Sequence, residues 1–123
     1  MKDFVPFELA VKLKEKGVDC SCIGHYVNNQ LYIAHYLNAF HSDKGESLDA
    51  PTISQVLKWL REEKKIHLIV EIADSGWYYT LYPNVRWEND KLKSDKYIMS
   101  FKHKTSYEEA VLAGIEYILD NLI

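Results

Sequence analysis

The sequence predicts an α+β fold in which three helices accompany an antiparallel sheet of about five strands, in the order α-β-β-α-β-β-β-α. Three segments carry apolar residues at helical spacing behind capping residues. The segments between them alternate apolar and polar residues and are rich in aromatic residues, as strands are. A chain of 123 residues is expected to form one domain over its whole length, 1–123.

The first helix is predicted over residues 6–16 and ends at Gly17, because glycine suits the left-handed conformation that closes many helices. A hairpin follows, with strands predicted at 20–26 and 31–36. Between these strands Asn28 and Asn29 suit the turn, because asparagine tolerates positive φ angles.

The second helix is predicted over residues 51–64, where Thr52 followed by Gln55 resembles a capping box. Val56 and Leu60 belong to its apolar stripe. Three further strands are predicted after this helix, at 66–73, 77–82 and 97–102.

The third helix is predicted over residues 106–121. Its capping box is either Ser106 with Glu109 or Thr105 with Glu108. Two polar segments are predicted to be mobile or irregular loops, namely 41–49 and 84–95.

Composition restricts the class of protein. The formal net charge is −3 and the pI is about 5.9, so the chain lacks the strongly basic character of most nucleic-acid binders. The sequence shows neither a secretory leader nor an apolar run of membrane-spanning length. We therefore expect a cytoplasmic protein that does not enter the membrane, with its two cysteines reduced.

Cys20, Cys22 and His25 lie close together and are the candidate catalytic residues. Thiolate and imidazole groups bind zinc, but these cysteines are one residue apart and the chain has no second cysteine pair. A cysteine nucleophile would need a base, for which His25 or His35 is available. The spacing favours structural cysteines. No metal and no cofactor are predicted, and a small Cys/His-dependent enzyme is the alternative.

The second half of the chain has the helix, three strands, helix order of a double-stranded RNA-binding domain. Lysines cluster around its last predicted strand, at positions 91, 93, 96, 102 and 104. The last helix starts with Glu108 and Glu109, whereas such a domain needs a basic helix start aimed at phosphates. Nucleic acid is therefore not the expected partner, and a nucleic-acid-binding regulator is a further alternative.

Aromatic residues suggest an interaction surface. Nine tyrosines and three tryptophans outnumber four phenylalanines, a composition that suits half-buried sheet faces and interfaces. Tyr78 and Tyr82 should point to the sheet face opposite that of Trp77 and Tyr79. If helices cover the second pair, the first pair lies on the open face, unless a long loop covers it. Together with Trp87, Tyr78 and Tyr82 are the predicted interface residues.

Several stretches carry a resemblance to known proteins. They are FVPFELA at 4–10, LKEKG at 13–17, APTISQVLKWLRE at 50–62, IHL at 66–68 and GWYY at 76–79. Together they resemble small uncharacterised α+β proteins of Bacteroides-type bacteria and their phages or prophages. This resemblance covers most of the chain in outline and implies no activity and no catalytic residues.

A second resemblance lies at the start of the last helix. The stretch TSYEEA at 105–110 resembles the end of the small antitoxins of HicA–HicB systems, which have a strand, a Thr-x-x-Glu-Ala helix start and an amphipathic helix. The glycine-cysteine turn of that family is missing here, and the Thr-x-x-Glu pattern is also explained as a helix cap. An antitoxin-like regulator is accordingly an alternative function.

These features predict a non-enzymatic protein-interaction module, associated with phages and binding either a protein partner or a second copy of itself as a homodimer. The prediction rests on the lack of a catalytic constellation in the sequence and on the aromatic residues of the predicted strands.

Overall fold

The structure is a computed structural model that describes residues 3–18, 20, 24–33, 48–100 and 102–123. Contacts divide the chain into two compact units, residues 1–56 and 57–123. The boundary falls inside the second helix. The prediction of one domain over the whole chain stays a prediction.

The first unit combines a helix with a three-stranded antiparallel sheet. Its elements are α1 (Phe7–Glu15), β1 (Gly24–Val27), β2 (Gln30–Ile33) and β3 (Leu48–Ala50), with the strands in the order β2-β1-β3. The predicted hairpin turn is confirmed, because Asn28 and Asn29 have φ angles of 52° and 67°. The predicted end of α1 is also confirmed. Gly17 has a φ of 72° and its N–H donates to the Lys14 carbonyl at 3.0 Å.

Tyr26 joins β1 to the residues at the start of α1. Its hydroxyl donates to the Val5 carbonyl at 2.8 Å, and its ring meets the Phe7 ring edge-on with centroids 5.4 Å apart. Burial raises the pKa of the Tyr26 phenol, and the charge of Glu8 raises it further. The neutral phenol is therefore the form that fits this contact.

The second helix, α2 (Ile53–Glu63), begins with the predicted capping box. The Thr52 N–H donates to Gln55 Oε1 at 2.8 Å, and the Gln55 N–H donates to Thr52 Oγ1 at 3.2 Å. Neither N–H has a carbonyl partner within the helix, and each is thereby bonded to the side chain of the other residue.

The second unit is built around a hairpin and the last helix. Its elements after α2 are β4 (His67–Ala73), β5 (Gly76–Tyr82), β6 (Arg86–Glu88), β7 (Lys91–Lys93), β8 (Ile98–Met99) and α3 (Tyr107–Asn121). The strands form one antiparallel sheet in the order β4-β5-β8 and a separate hairpin of β6 and β7. In the register of β4 and β5, Ala73 lies opposite Gly76 and His67 opposite Tyr82.

Helix α3 covers one face of the β4-β5-β8 sheet. Tyr79 lies 6.4 Å from Tyr117 of the helix, and Trp77 meets Tyr107 edge-on at 5.8 Å, both measured between ring centroids. Because side chains alternate along a strand, Tyr78 and Tyr82 point to the opposite face. Burial raises the pKa of Tyr79, and the nearby Tyr117 adds to the effect.

Ser106 caps α3, which is one of the two predicted alternatives. Its hydroxyl accepts a hydrogen bond from the Glu109 N–H at 3.1 Å, while Glu109 Oε2 accepts from the Thr105 hydroxyl at 2.9 Å. The carboxylate also lies in the first turn, where the helix dipole favours negative charge.

Replacing Ser106 by alanine is therefore expected to lower the free energy of unfolding by about 1 kcal/mol, because one donor of the first turn loses its partner. Urea titration followed by circular dichroism measures the change. Ser54, an exposed serine inside α2, supplies the matched control. Equal destabilisation by Ser106→Ala and Ser54→Ala would contradict the capping role.

The α+β class with three helices is confirmed, but the sheet prediction needs correction. The described strands form two three-stranded sheets and one two-stranded hairpin rather than one sheet of about five strands. The extra strands are short, and two of them lie in the segment 84–95 that was predicted to be an irregular loop. The last two residues of the other predicted loop, 41–49, belong to β3, and the rest of that loop lies outside the described residues.

Strand ends also differ from the prediction. The third strand predicted in the second half is confined to Ile98–Met99. Of the strand predicted at 20–26, the described part is β1 (Gly24–Val27), and residues 21–23 lie outside the described residues. In the described residues, the helices are too short or too polar to cross a membrane.

Candidate functional site

The hairpin of β6 and β7 leaves the sheet between β5 and β8, and its two ends are held together. The Asp95 N–H donates to the Pro83 carbonyl at 2.9 Å. Arg86 Nη1 donates to the Asn84 carbonyl at 3.0 Å and to Asp95 Oδ1 at 3.2 Å. These bonds give a segment of polar sequence a defined base.

The tip of this hairpin is a two-residue turn of the same kind as the one between β1 and β2. Asn89 and Asp90 have φ angles of 52° and 60°. Consecutive positive φ angles match the twist of the flanking strands, and asparagine and aspartate tolerate them. The turn fixes the register in which Trp87 lies opposite Leu92.

Trp87 and Leu92 form an apolar pair that the hairpin presents to solvent. Trp87 is 74% exposed and Leu92 is 60% exposed. Residues directly opposite each other in an antiparallel pair point to the same face, with Cβ atoms about 5 Å apart. Two large neighbouring side chains of this kind mark an interaction site more often than a single exposed residue does.

A cavity of about 490 Å³ lies beside this pair. Its apolar wall consists of Ile66, Tyr82, Val85 and Leu92, and it also includes His67 and Ser94. Three cationic residues complete the lining, namely Arg61, Lys65 and Lys93, and no carboxylate belongs to it. We call Tyr82, Trp87 and Leu92 with these three cations the hairpin surface.

The cations of the hairpin surface differ in how far they are neutralised. Lys93 Nζ lies 3.7 Å from Glu88 Oε1, and Glu88 is shared with Arg86, whose Nε lies 3.2 Å from Oε2. Arg61 and Lys65 form no ion pair with any carboxylate in the described residues. Positive charge beside an apolar wall is thus left available to a ligand.

The backbone of Lys65 adopts a conformation that lysine disfavours. It follows α2 with a φ of 58°, a region that favours glycine or asparagine. Its carbonyl accepts a hydrogen bond from the Val85 N–H at 2.8 Å, and the next residue, Ile66, closes the helix by donating to the Leu60 carbonyl at 3.0 Å. A lysine where glycine is preferred costs about 1 kcal/mol.

The three predicted interface residues do not all lie together. Tyr82 lines the cavity and Trp87 belongs to the exposed pair. Tyr78 points to the same sheet face as Tyr82 but lies four residues away, about 13 Å along the strand. Its ring stacks on His103 with centroids 5.3 Å apart, and His103 Nδ1 is hydrogen-bonded to the Ser75 hydroxyl.

The candidate catalytic residues lie in the first unit. The half-buried thiol of Cys20 lines a cavity of about 300 Å³ and donates to the Gln55 carbonyl at 3.8 Å. Asp49 borders the same cavity, and its Oδ1 lies 3.2 Å from His25 Nδ1. Cys22 lies outside the described residues. In the described part of the chain, no three His, Cys, Asp or Glu side chains form a metal-binding group.

Comparison with known protein families, with curated proteins and with solved structures finds no match for this chain. Any functional conclusion therefore rests on its own residues and their arrangement.

Proposed function

We propose that the protein is a non-enzymatic protein-interaction module that associates with itself and presents the hairpin surface to a partner protein. The observation that carries the proposal is the exposed Trp87–Leu92 pair beside an apolar cavity whose cationic rim includes Arg61 and Lys65, which form no ion pair in the described residues. Tryptophan and arginine are the residue types most enriched among the dominant contacts of protein interfaces.

The chemistry of the hairpin surface points to an acidic segment that carries an apolar side chain. The apolar wall of Ile66, Tyr82 and Val85 would receive that side chain, and the rim would pair with carboxylates. A second copy fits this surface poorly, because a two-fold interface centred there would bring Arg61 and Lys65 against their own counterparts.

Selection from a random peptide library on the full-length protein tests the proposal. We expect enriched peptides to combine aspartate or glutamate with one large apolar residue. Their affinity should fall at least tenfold on Trp87→Ser, which removes an exposed ring without disturbing the core. Salt should weaken binding, because the rim is solvent-exposed.

Lys65→Gly separates binding from stability. The substitution removes a rim charge but relieves an unfavourable backbone conformation, so the variant should bind the selected peptides more weakly while unfolding at a higher urea concentration. Lys64→Gly is the matched control. Lys64 neighbours Lys65 but lies outside the cavity lining, with its ammonium over the Trp59 ring.

Three results would overturn the proposed surface. These are a library with no enrichment, enrichment of basic peptides, and enriched peptides whose affinity ignores both Trp87→Ser and Lys65→Gly. Tight binding of a DNA or RNA duplex that depends on the same residues would assign the cations to phosphates instead.

A further inference from the structure

Within the described residues, β4 is an edge strand of its sheet. In the order β4-β5-β8, β4 has a neighbour on one side only, and it is seven residues long. Among the described residues, no backbone hydrogen bond reaches its outer side. Backbone donors and acceptors without partners make such an edge a template for another strand.

The register of the hairpin shows which groups point outward. Ala73 and Gly76 flank a two-residue turn and therefore form a hydrogen-bonded pair. Because bonded and non-bonded pairs alternate in an antiparallel ladder, the N–H and C=O groups of Leu68, Val70 and Ile72 point away from β5.

The opposite side of β5 confirms this alternation. Trp77 and Tyr79 lie opposite Ile72 and Val70, and they should also turn their backbone groups away from the β4–β5 ladder. The Trp77 N–H donates to the Lys104 carbonyl at 2.8 Å, and the Tyr79 carbonyl accepts from the next segment at 3.0 Å.

This edge lacks the usual protection. The sequence of β4 is HLIVEIA, with no proline, no lysine and one carboxylate, Glu71. Its pairing with β5 runs through all seven residues without a bulge. Ile72 is 68% exposed. Soluble proteins normally blunt an exposed apolar edge with charge, proline or a bulge, unless a partner covers it.

We propose that β4 pairs in antiparallel fashion with β4 of a second copy, around a two-fold axis at Val70. Val70 then lies opposite its own counterpart, and Leu68 lies opposite Ile72 in both directions. Each pair exchanges two backbone hydrogen bonds, and the two sheets become one continuous six-stranded sheet. The inference rests on the proposed self-association and assigns it to a surface other than the hairpin surface.

The side chains of this edge suit a second copy. The exposed Ile72 would lie beside Leu68 of the second copy, on the face that α3 covers. On the opposite face, Glu71 would lie directly opposite Ile69 of the second copy, so that no two like charges face each other directly. The register that satisfies the backbone groups is also compatible with the side chains.

Sedimentation velocity over a concentration series tests the inference. Wild type should show a dimer that dissociates on dilution, and Ile72→Lys should be monomeric at the highest concentration, because the edge gains a charge beside an apolar neighbour. Leu92→Lys is the matched control. It also places lysine at an exposed aliphatic position, but on the hairpin surface, and it should leave the dimer intact.

Amide hydrogen exchange gives a second readout that does not depend on substitution. In wild type at dimer-forming concentration, the amides of Val70 and Ile72 should be protected, and dilution should make them exchange at least tenfold faster. The amides of Ile69 and Glu71, which bond to β5, should stay protected in both states.

The outcomes distinguish the β4 pairing from the proposed self-association on which it rests. A wild-type chain that is monomeric at high micromolar concentration overturns self-association and the β4 pairing together, while peptide selection still decides the hairpin surface. A dimer that survives Ile72→Lys, or one that Leu92→Lys dissociates, overturns the β4 pairing alone. Concentration-independent exchange at Val70 does the same.

Discussion

Replacing Leu81 by alanine is expected to lower the free energy of unfolding by about 3 kcal/mol, within the range of about 2–5 kcal/mol found for buried leucines. Leu81 is fully buried, lies opposite Leu68 in β4 and Ile98 in β8, and sits on the sheet face that α3 covers. The substitution removes apolar contacts and leaves a cavity between strand and helix that packed neighbours fill only in part.

Leu92 provides the control for this prediction, because the same change is made on a side chain that is 60% exposed. Leu92→Ala should change the free energy of unfolding by less than about 0.5 kcal/mol. Urea denaturation measures both variants. If Leu92→Ala costs as much as Leu81→Ala, the hairpin belongs to the core of the unit and the Trp87–Leu92 pair is not a free surface.

The second large effect is expected at Gly76, where β5 begins. Its φ of 129° is a conformation that other residues rarely adopt, and an added Cβ would lie 2.5 Å from the Lys104 carbonyl oxygen. Backbone strain and a clash with backbone act together, so Gly76→Ala should cost about 2–4 kcal/mol. Thermal unfolding followed by circular dichroism should show a correspondingly lower Tm.

Gly17→Ala isolates the conformational part of that cost. Gly17 also has a positive φ, of 72°, but an added Cβ there meets no atom within 4 Å. We expect a loss of about 1 kcal/mol, from strain alone. Equal losses at both glycines would contradict the close approach between the start of β5 and Lys104.

Short sequence patterns were sufficient to predict the helices and one hairpin turn. Capping residues predicted the starts of α2 and α3, since a capping box satisfies donors within four residues of one another. The Asn28-Asn29 turn followed from the conformational freedom of asparagine. Asn89 and Asp90 form the same kind of turn, because both residue types tolerate positive φ angles. The same reasoning applied to this pair predicts the hairpin in 84–95.

Non-local features could not be predicted in this way. β3 has three residues and exists because it pairs with β1 across a long stretch of chain, which no short pattern reveals. The division of the strands into separate sheets also depends on pairing between segments far apart in the sequence.

The candidate site was half predicted. Tyr82 was predicted from the aromatic content of the strands and Trp87 from the segment 84–95, whereas Arg61 and Lys65 were not among the predicted site residues. Only the way the chain folds back after Pro83 brings them beside Leu92. A lysine at positive φ gives no sequence signal, because its side chain is not one that marks turns.

The closed base of the β6–β7 hairpin has a consequence for how this protein could diversify. Pro83 and Asp95 are hydrogen-bonded to each other, and the hairpin between them contributes no strand to the β4-β5-β8 sheet. A change in the length or sequence of this segment would leave the hydrogen bond between Pro83 and Asp95 in place. A designer could graft a foreign recognition loop between the same two residues.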